Sequence, residues 1–168
     1  MPSTALPAVL RTRSARLARV LTVLLAVLGV LLVSERFGAV GLSLLDEGIG
    51  GEAIRRFGVQ LVAAIPEVCY LMALWWVRAA LVEFARGAFH TPVIAKALQR
   101  VGVMLTTGAA IVLFAVPSLQ RALGFDPGYV IAYDIGSAVL CAVGLSLAML
   151  AHVLERAAAV QAELDEIF

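Results

Sequence analysis

Four long apolar stretches, separated by polar and glycine-rich segments, divide this 168-residue chain. The first is uninterrupted from Val20 to Val33 and widens to residues 17–34 if Arg19 snorkels toward the headgroups. At 1.5 Å per residue such a run of roughly 18 residues reaches about 27 Å, enough to cross a hydrocarbon core. The second covers residues 57–78, with Pro66 and Glu67 near its middle and Trp75-Trp76 near its far end, where tryptophan marks an interface. The third, residues 97–117, follows Thr91-Pro92, an N-cap and first-turn pair, and Pro117 is expected to close it. The fourth covers residues 129–151.

These runs predict an all-α integral membrane protein. It is a four-transmembrane-helix bundle with a cytoplasmic amphipathic C-terminal helix over residues 152–168, in a single domain from 1 to 168. A barrel would need alternating strands of about ten residues, which the runs do not offer. Residues 35–56, rich in glycine and acids, predict a solvated loop with a short interfacial helix near Val40–Leu45. Asp126-Pro127-Gly128 predicts a turn between the third and fourth spans.

Small residues predict how the spans meet, because lipid supplies no hydrophobic drive between helices. Ser137, Cys141, Gly144 and Ala148 make one stripe on the fourth span. Thr106, Thr107 and Gly108 on the third, and Gln60, Ala63, Ala64 and Glu67 on the second, are the faces expected to join it.

Composition sharpens the picture. Hydrophobic residues make up 62% of the chain and mean hydropathy is +0.98, the signature of a chain whose main solvent is lipid. A net charge of +1 leaves no broad basic surface, so no direct nucleic-acid binding is expected. The placement of the cations carries more. Nine (Arg11, Arg13, Arg16, Arg19, Arg78, Arg86, Lys96, Arg100 and Arg156) fall on the side of the N-terminus, the 78–100 link and the tail. Four (Arg36, Arg55, Arg56 and Arg121) fall on the other, so both termini are expected in the cytoplasm, with the protein in a bacterial inner membrane. The first span shares its basic leader with signal peptides, but no small-residue cleavage site follows Val33, and an uncleaved anchor is expected.

Glu67 is the most informative polar residue. An ionised carboxylate near the bilayer midplane costs several kcal/mol, so it should face the bundle interior. It reads either as a proton or cation relay, or as a neutral acid hydrogen-bonded to Thr106 or Thr107. Asp134 is expected one turn into the fourth span, where Arg55, Arg56 or water reaches it. His90 and His152 have no companions that would make a metal site, and Cys69 and Cys141 read as soft apolar residues, so no metal or cofactor is expected. No nucleotide loop, zinc-protease motif or nucleophile elbow occurs, and an enzyme is not expected.

In the tail, Val153, Ala157, Val160, Leu164 and Ile167 recur at spacings of four and three, one helical seam with the charges beside it. That seam needs a covering: a second copy, the link, or another protein.

At the link, Arg86, Gly87, Phe89 and Thr91, then Leu98, Arg100 and Gly102, together with the acidic Glu155–Phe168 tail, make the chain resemble a family of small bacterial four-span membrane proteins described as a domain of unknown function. Pro92 and the spacing at Ala88-Phe89-His90 depart from that family's usual order. The resemblance implies a helix-turn-helix regulator as a neighbour and partner. The functional expectation is therefore an accessory or signalling protein, in the bilayer as a homo-oligomer or with a cytoplasmic partner. Arg86, Phe89, Arg100, Val153, Val160, Leu164 and Ile167 are the candidate contacts. A small proton- or ion-coupled transporter or channel centred on Glu67 is the alternative.

Overall fold

The computed structural model describes the backbone of residues 5–47, 51–86, 91–122 and 134–167, and the side chains of 11–38, 57–86, 93–122, 134–161 and 163. All the described secondary structure is helical: α1 (Ala5–Glu47), α2 (Gly51–Ala85), α3 (Thr91–Ala110), a π-helical turn (Ile111–Ala115), α4 (Val116–Ala122) and α5 (Ile135–Ile167). Four stretches are long and apolar enough to cross a membrane: Arg11–Gly38, Phe57–Ala85, Val93–Ala122 and Ile135–Gln161.

The helices pack in chain order, α1 on α2, α2 on α3, and α3 on α5, so α1 and α5 form the two flanks of the bundle. Neighbours run antiparallel. Thr22 meets Arg78 while Arg36 meets Glu67, which fixes the direction of α1 on α2. The end carrying Arg78, Arg86 and Arg100 is called the link end below, and the end carrying Phe37, Phe57 and Asp134 the hairpin end.

What is buried identifies the solvent. The buried apolar residues are Ala18, Ala64, Ala73, Ala95, Ala109 and Ala151, joined by Ser137 and Pro117, whereas Val20, Val30, Leu61, Phe114, Leu145 and Met149 face outward. A water-soluble core is built the other way round, from large aliphatic and aromatic side chains. Small residues inside and large ones outside let backbones approach while lipid covers the rest.

Glycine takes this approach to its limit at the α3–α5 crossing. A Cβ added at Gly102 would lie 2.5 Å from the Gly144 carbonyl oxygen and 2.7 Å from the Ala148 nitrogen. One added at Gly144 would lie 2.7 Å from the Gly102 carbonyl oxygen and 2.8 Å from the Thr106 nitrogen. The two helices touch backbone to backbone.

Three expectations need correction. The loop expected over 35–56 is helical as far as Glu47 and again from Gly51. Gly38 and Gly58 have open space around them, a helical glycine costs only about 1 kcal/mol, and Phe37 packs on Phe57 with ring centroids 5.8 Å apart to hold the hairpin. Pro117 does not close the third span, because the chain passes through a π turn before it and continues to Ala122. A proline removes one backbone donor and crowds the preceding turn. Here the Val116 N–H bonds back to the Ile111 carbonyl, and the Ser118 hydroxyl donates to the Phe114 carbonyl at 2.6 Å. Asp134, expected one turn inside the fourth span, instead immediately precedes α5. The expected turn at Asp126-Pro127-Gly128, the expected start at Tyr129, and Gly87, Phe89 and His90 of the link lie outside the described residues, as do the side chains of Arg55, Arg56, Leu164 and Ile167.

Candidate functional site: an ion pair above a polar cleft

Glu67 has a cation as its partner. The Arg36 guanidinium donates to it in a forked arrangement: Nε lies 3.1 and 3.3 Å from the two carboxylate oxygens, and one terminal amine contacts Oε1. The other terminal amine donates to the Gln60 side-chain oxygen at 3.3 Å. The planar guanidinium matches a carboxylate in this way, which a lysine could not do. The pair ties α1 to α2 within the span.

That arrangement corrects the expected bond to Thr106 or Thr107. Thr106 spends its hydroxyl on the Gly102 carbonyl at 2.9 Å, and Thr107 faces outward. The glycines that follow Arg36 suggest a loop there. With α1 unbroken to Glu47, the Arg36 side chain reaches down the helix toward Glu67. The available signal was the acid itself: a carboxylate at that depth calls for a cation on an adjacent helix, and Arg36 is the first one past the apolar run.

Asp134 is an N-cap. Its carboxylate accepts from the Ser137 hydroxyl, the Ser137 backbone N–H at 3.2 Å and the Gly136 backbone N–H at 3.0 Å. Its carbonyl accepts the first helical bond, from the Ala138 N–H at 3.0 Å. The Ser137 hydroxyl foremost, then the backbone donors, hold this carboxyl below the usual carboxylate range, just outside the span that begins at Ile135.

Both acids line one cleft of about 480 Å³ at the hairpin end, with Arg36, Gln120 and Ser137 beside them and the π turn supplying Val112. The Tyr70 hydroxyl, buried on its wall, has no hydrogen-bond partner among the described residues. Such a cleft can hold water or a small polar guest against the Arg36–Glu67 pair. A proton relay through Glu67 would first require Arg36 to withdraw.

The remaining candidates lie at the link end. Arg86 is exposed and pairs with Glu83 at 2.8 Å, a surface contact of small worth. Arg100 is stacked on Trp76, its guanidinium carbon 3.9 Å from the ring centroid, so it is already engaged in packing. Val153 and Val160 are 58% and 55% exposed on α5. Cys69 and Cys141 are free thiols, half-buried within the spans. Among the described residues no three histidine, cysteine or acidic side chains gather as metal ligands would.

No curated protein and no solved structure matches this chain. The model of one family, described as a protein of unknown function (DUF2975), matches residues 13–167, nearly the whole length and all four spans, and the chain belongs to that family.

Proposed function

We propose that this protein is a membrane-embedded accessory or signalling protein that binds a protein partner through a cytoplasmic link and tail. The observation that carries the reading is the length of α5. Its 33 residues make about 50 Å of unbroken helix, against about 30 Å of hydrocarbon. About 20 residues from Ile135 cover that thickness, so α5 continues past it beyond Leu154, with Val160 exposed there and Glu155 and Glu163 beside it. The excess of arginine and lysine at the link end supports a bacterial inner-membrane protein with both termini in the cytoplasm. The partner is a second copy or a cytoplasmic protein, and the family resemblance implies a helix-turn-helix regulator.

A detergent-solubilised pull-down of the full chain beside a version ending at Leu154, read by mass spectrometry, tests this. A partner held by the full chain and lost on truncation is the expected result. Equal recovery from both versions would remove the tail from the reading.

The polar cleft favours a second reading, a proton- or ion-coupled transporter centred on Glu67. It requires Glu67→Gln to abolish flux in proteoliposomes while leaving the pull-down intact.

A further inference from the structure

Between α1 and α2, on the link-end side of the ion pair, lies a second groove of about 520 Å³. Its walls are apolar, from Leu25, Val68 and Met72, and its link end is formed by Thr22, Trp75 and Arg78. Arg78 is held from both sides. Its Nε donates to the Thr22 hydroxyl oxygen at 2.7 Å, and its guanidinium carbon lies 5.0 Å from the Trp75 ring centroid. Thr22 can only accept there, since its own proton goes to the Ala18 carbonyl at 2.7 Å. The two terminal amines of Arg78 remain, and among the described residues no carboxylate pairs with them. One helical turn beyond Thr22, Arg19 is exposed and likewise has no ion pair among the described residues.

A fixed guanidinium inside an apolar span is costly without a counter-ion. This one sits at the depth of a tryptophan, the level of lipid headgroups, at the end of a slot shaped for a hydrocarbon chain. Guanidinium groups take phosphate oxygens in the same forked manner as carboxylates. We infer that this groove is a binding site for an anionic phospholipid, its acyl chain lying along Leu25, Val68 and Met72 and its phosphate on Arg78. The headgroup is anionic because the lining of the groove offers the cation of Arg78 and no carboxylate to meet a choline or ethanolamine. The neighbouring groove between α2 and α3 is a poorer fit: it holds about 280 Å³, Glu83 stands among its cations, and Arg100 is already stacked on Trp76.

The chain has two tryptophans, both at this end, which supplies the assay. Full-length protein carrying Trp76→Phe, so that Trp75 alone reports, is placed in vesicles containing either brominated phosphatidylglycerol or brominated phosphatidylcholine at equal mole fraction. The expected result is stronger quenching by the glycerol lipid, equivalent to a preference of about fivefold, the worth of one cation close to an anionic headgroup. Arg78→Gln should bring that preference to about one, and Arg78→Lys, which keeps charge but loses the fork, should leave it intermediate. Millimolar inorganic phosphate should not relieve the quenching, because the acyl chain supplies part of the binding. Equal quenching by the two lipids would overturn the inference. So would a preference that survives Arg78→Gln, or one abolished by Lys96→Gln instead, which would place the lipid in the other groove.

Discussion

Adding a single methyl group at Gly144 should force α3 and α5 apart. The new Cβ would lie 2.5 Å from the Thr106 hydroxyl oxygen, 2.7 Å from the Gly102 carbonyl oxygen and 2.8 Å from the Thr106 nitrogen. Non-bonded carbon contacts settle near 3.5–4.0 Å, so the helices must separate by about 1 Å. Only one of the three obstacles is a side chain, and Thr106 is tethered by its bond to Gly102. Overpacking of this kind costs about 1–3 kcal/mol. Replacing a helical glycine by alanine returns about 1 kcal/mol, which leaves a net loss of up to about 2 kcal/mol for Gly144→Ala. Gly29→Ala is the matched control, because nothing lies within 4 Å of its added Cβ. It should be neutral or raise stability by up to about 1 kcal/mol. Thermal unfolding of both variants in one detergent, followed by circular dichroism at the helical band, decides the matter. At roughly 2–4 °C per kcal/mol for a chain of this length, the two midpoints should differ by several degrees. Equal midpoints would refute backbone contact at this crossing, and with it the account of how α5 is held.

Other outcomes follow from the same geometry. Gly108→Ala should cost less than Gly144→Ala, since its Cβ meets chiefly the Tyr70 ring edge at 2.7 Å and a ring can turn; the same melting assay ranks them. Arg36→Ala and Glu67→Ala should each destabilise the protein more than the double replacement predicts. A third of each side chain is exposed (34% and 36%), so solvent screening brings the coupling down to about 1–2 kcal/mol, and a double-mutant cycle giving none would remove the pair as a tie between α1 and α2. Asp134→Ala should lower the melting midpoint at neutral pH. Because its carboxyl is held below the ordinary range in the folded chain, the cap contributes above that range and is lost as pH falls through it. The wild-type and Asp134→Ala midpoints should therefore converge on acidification, and a constant gap would contradict the capping role.

The spans and the stripe of small residues were legible because period and residue size act locally. Val20 to Val33 can do little except cross a membrane, and Gly144 with Ala148 marks a close approach whatever the partner. Two of the differences concern punctuation that does not end a helix. Glycines at 38 and 41 suggested a loop, yet two weak helix residues cannot outweigh the apolar residues around them or the Phe37–Phe57 contact. A helix boundary before Glu35 hides Arg36, the arginine one helix away that pairs with Glu67. Pro117 suggested an end, but a changed hydrogen-bond ladder upstream relieves it. Asp134 is a residue type that starts helices, but the apolar residues 129–133 before it hide the boundary in the sequence.

The altered ladder before Pro117 also sets an angle. An α-helix turns about 100° per residue, so positions four apart drift about 40° around the axis, and positions eight apart about 80°. When hydrogen bonds close one residue later, each residue turns less, by about 20°, and over eight residues the wide turn offsets the drift of the ordinary turn that follows it. Val112 lies inside the wide turn and Val116 bounds it, and both stand over the cleft together with Gln120. Removing one of residues 113–115 would leave seven ordinary steps from Val112 to Gln120, about 700°, so Gln120 would stay within about 20° of the wall it shares with Arg36 and Asp134: the wide turn absorbs one extra residue without moving the side chains beyond it.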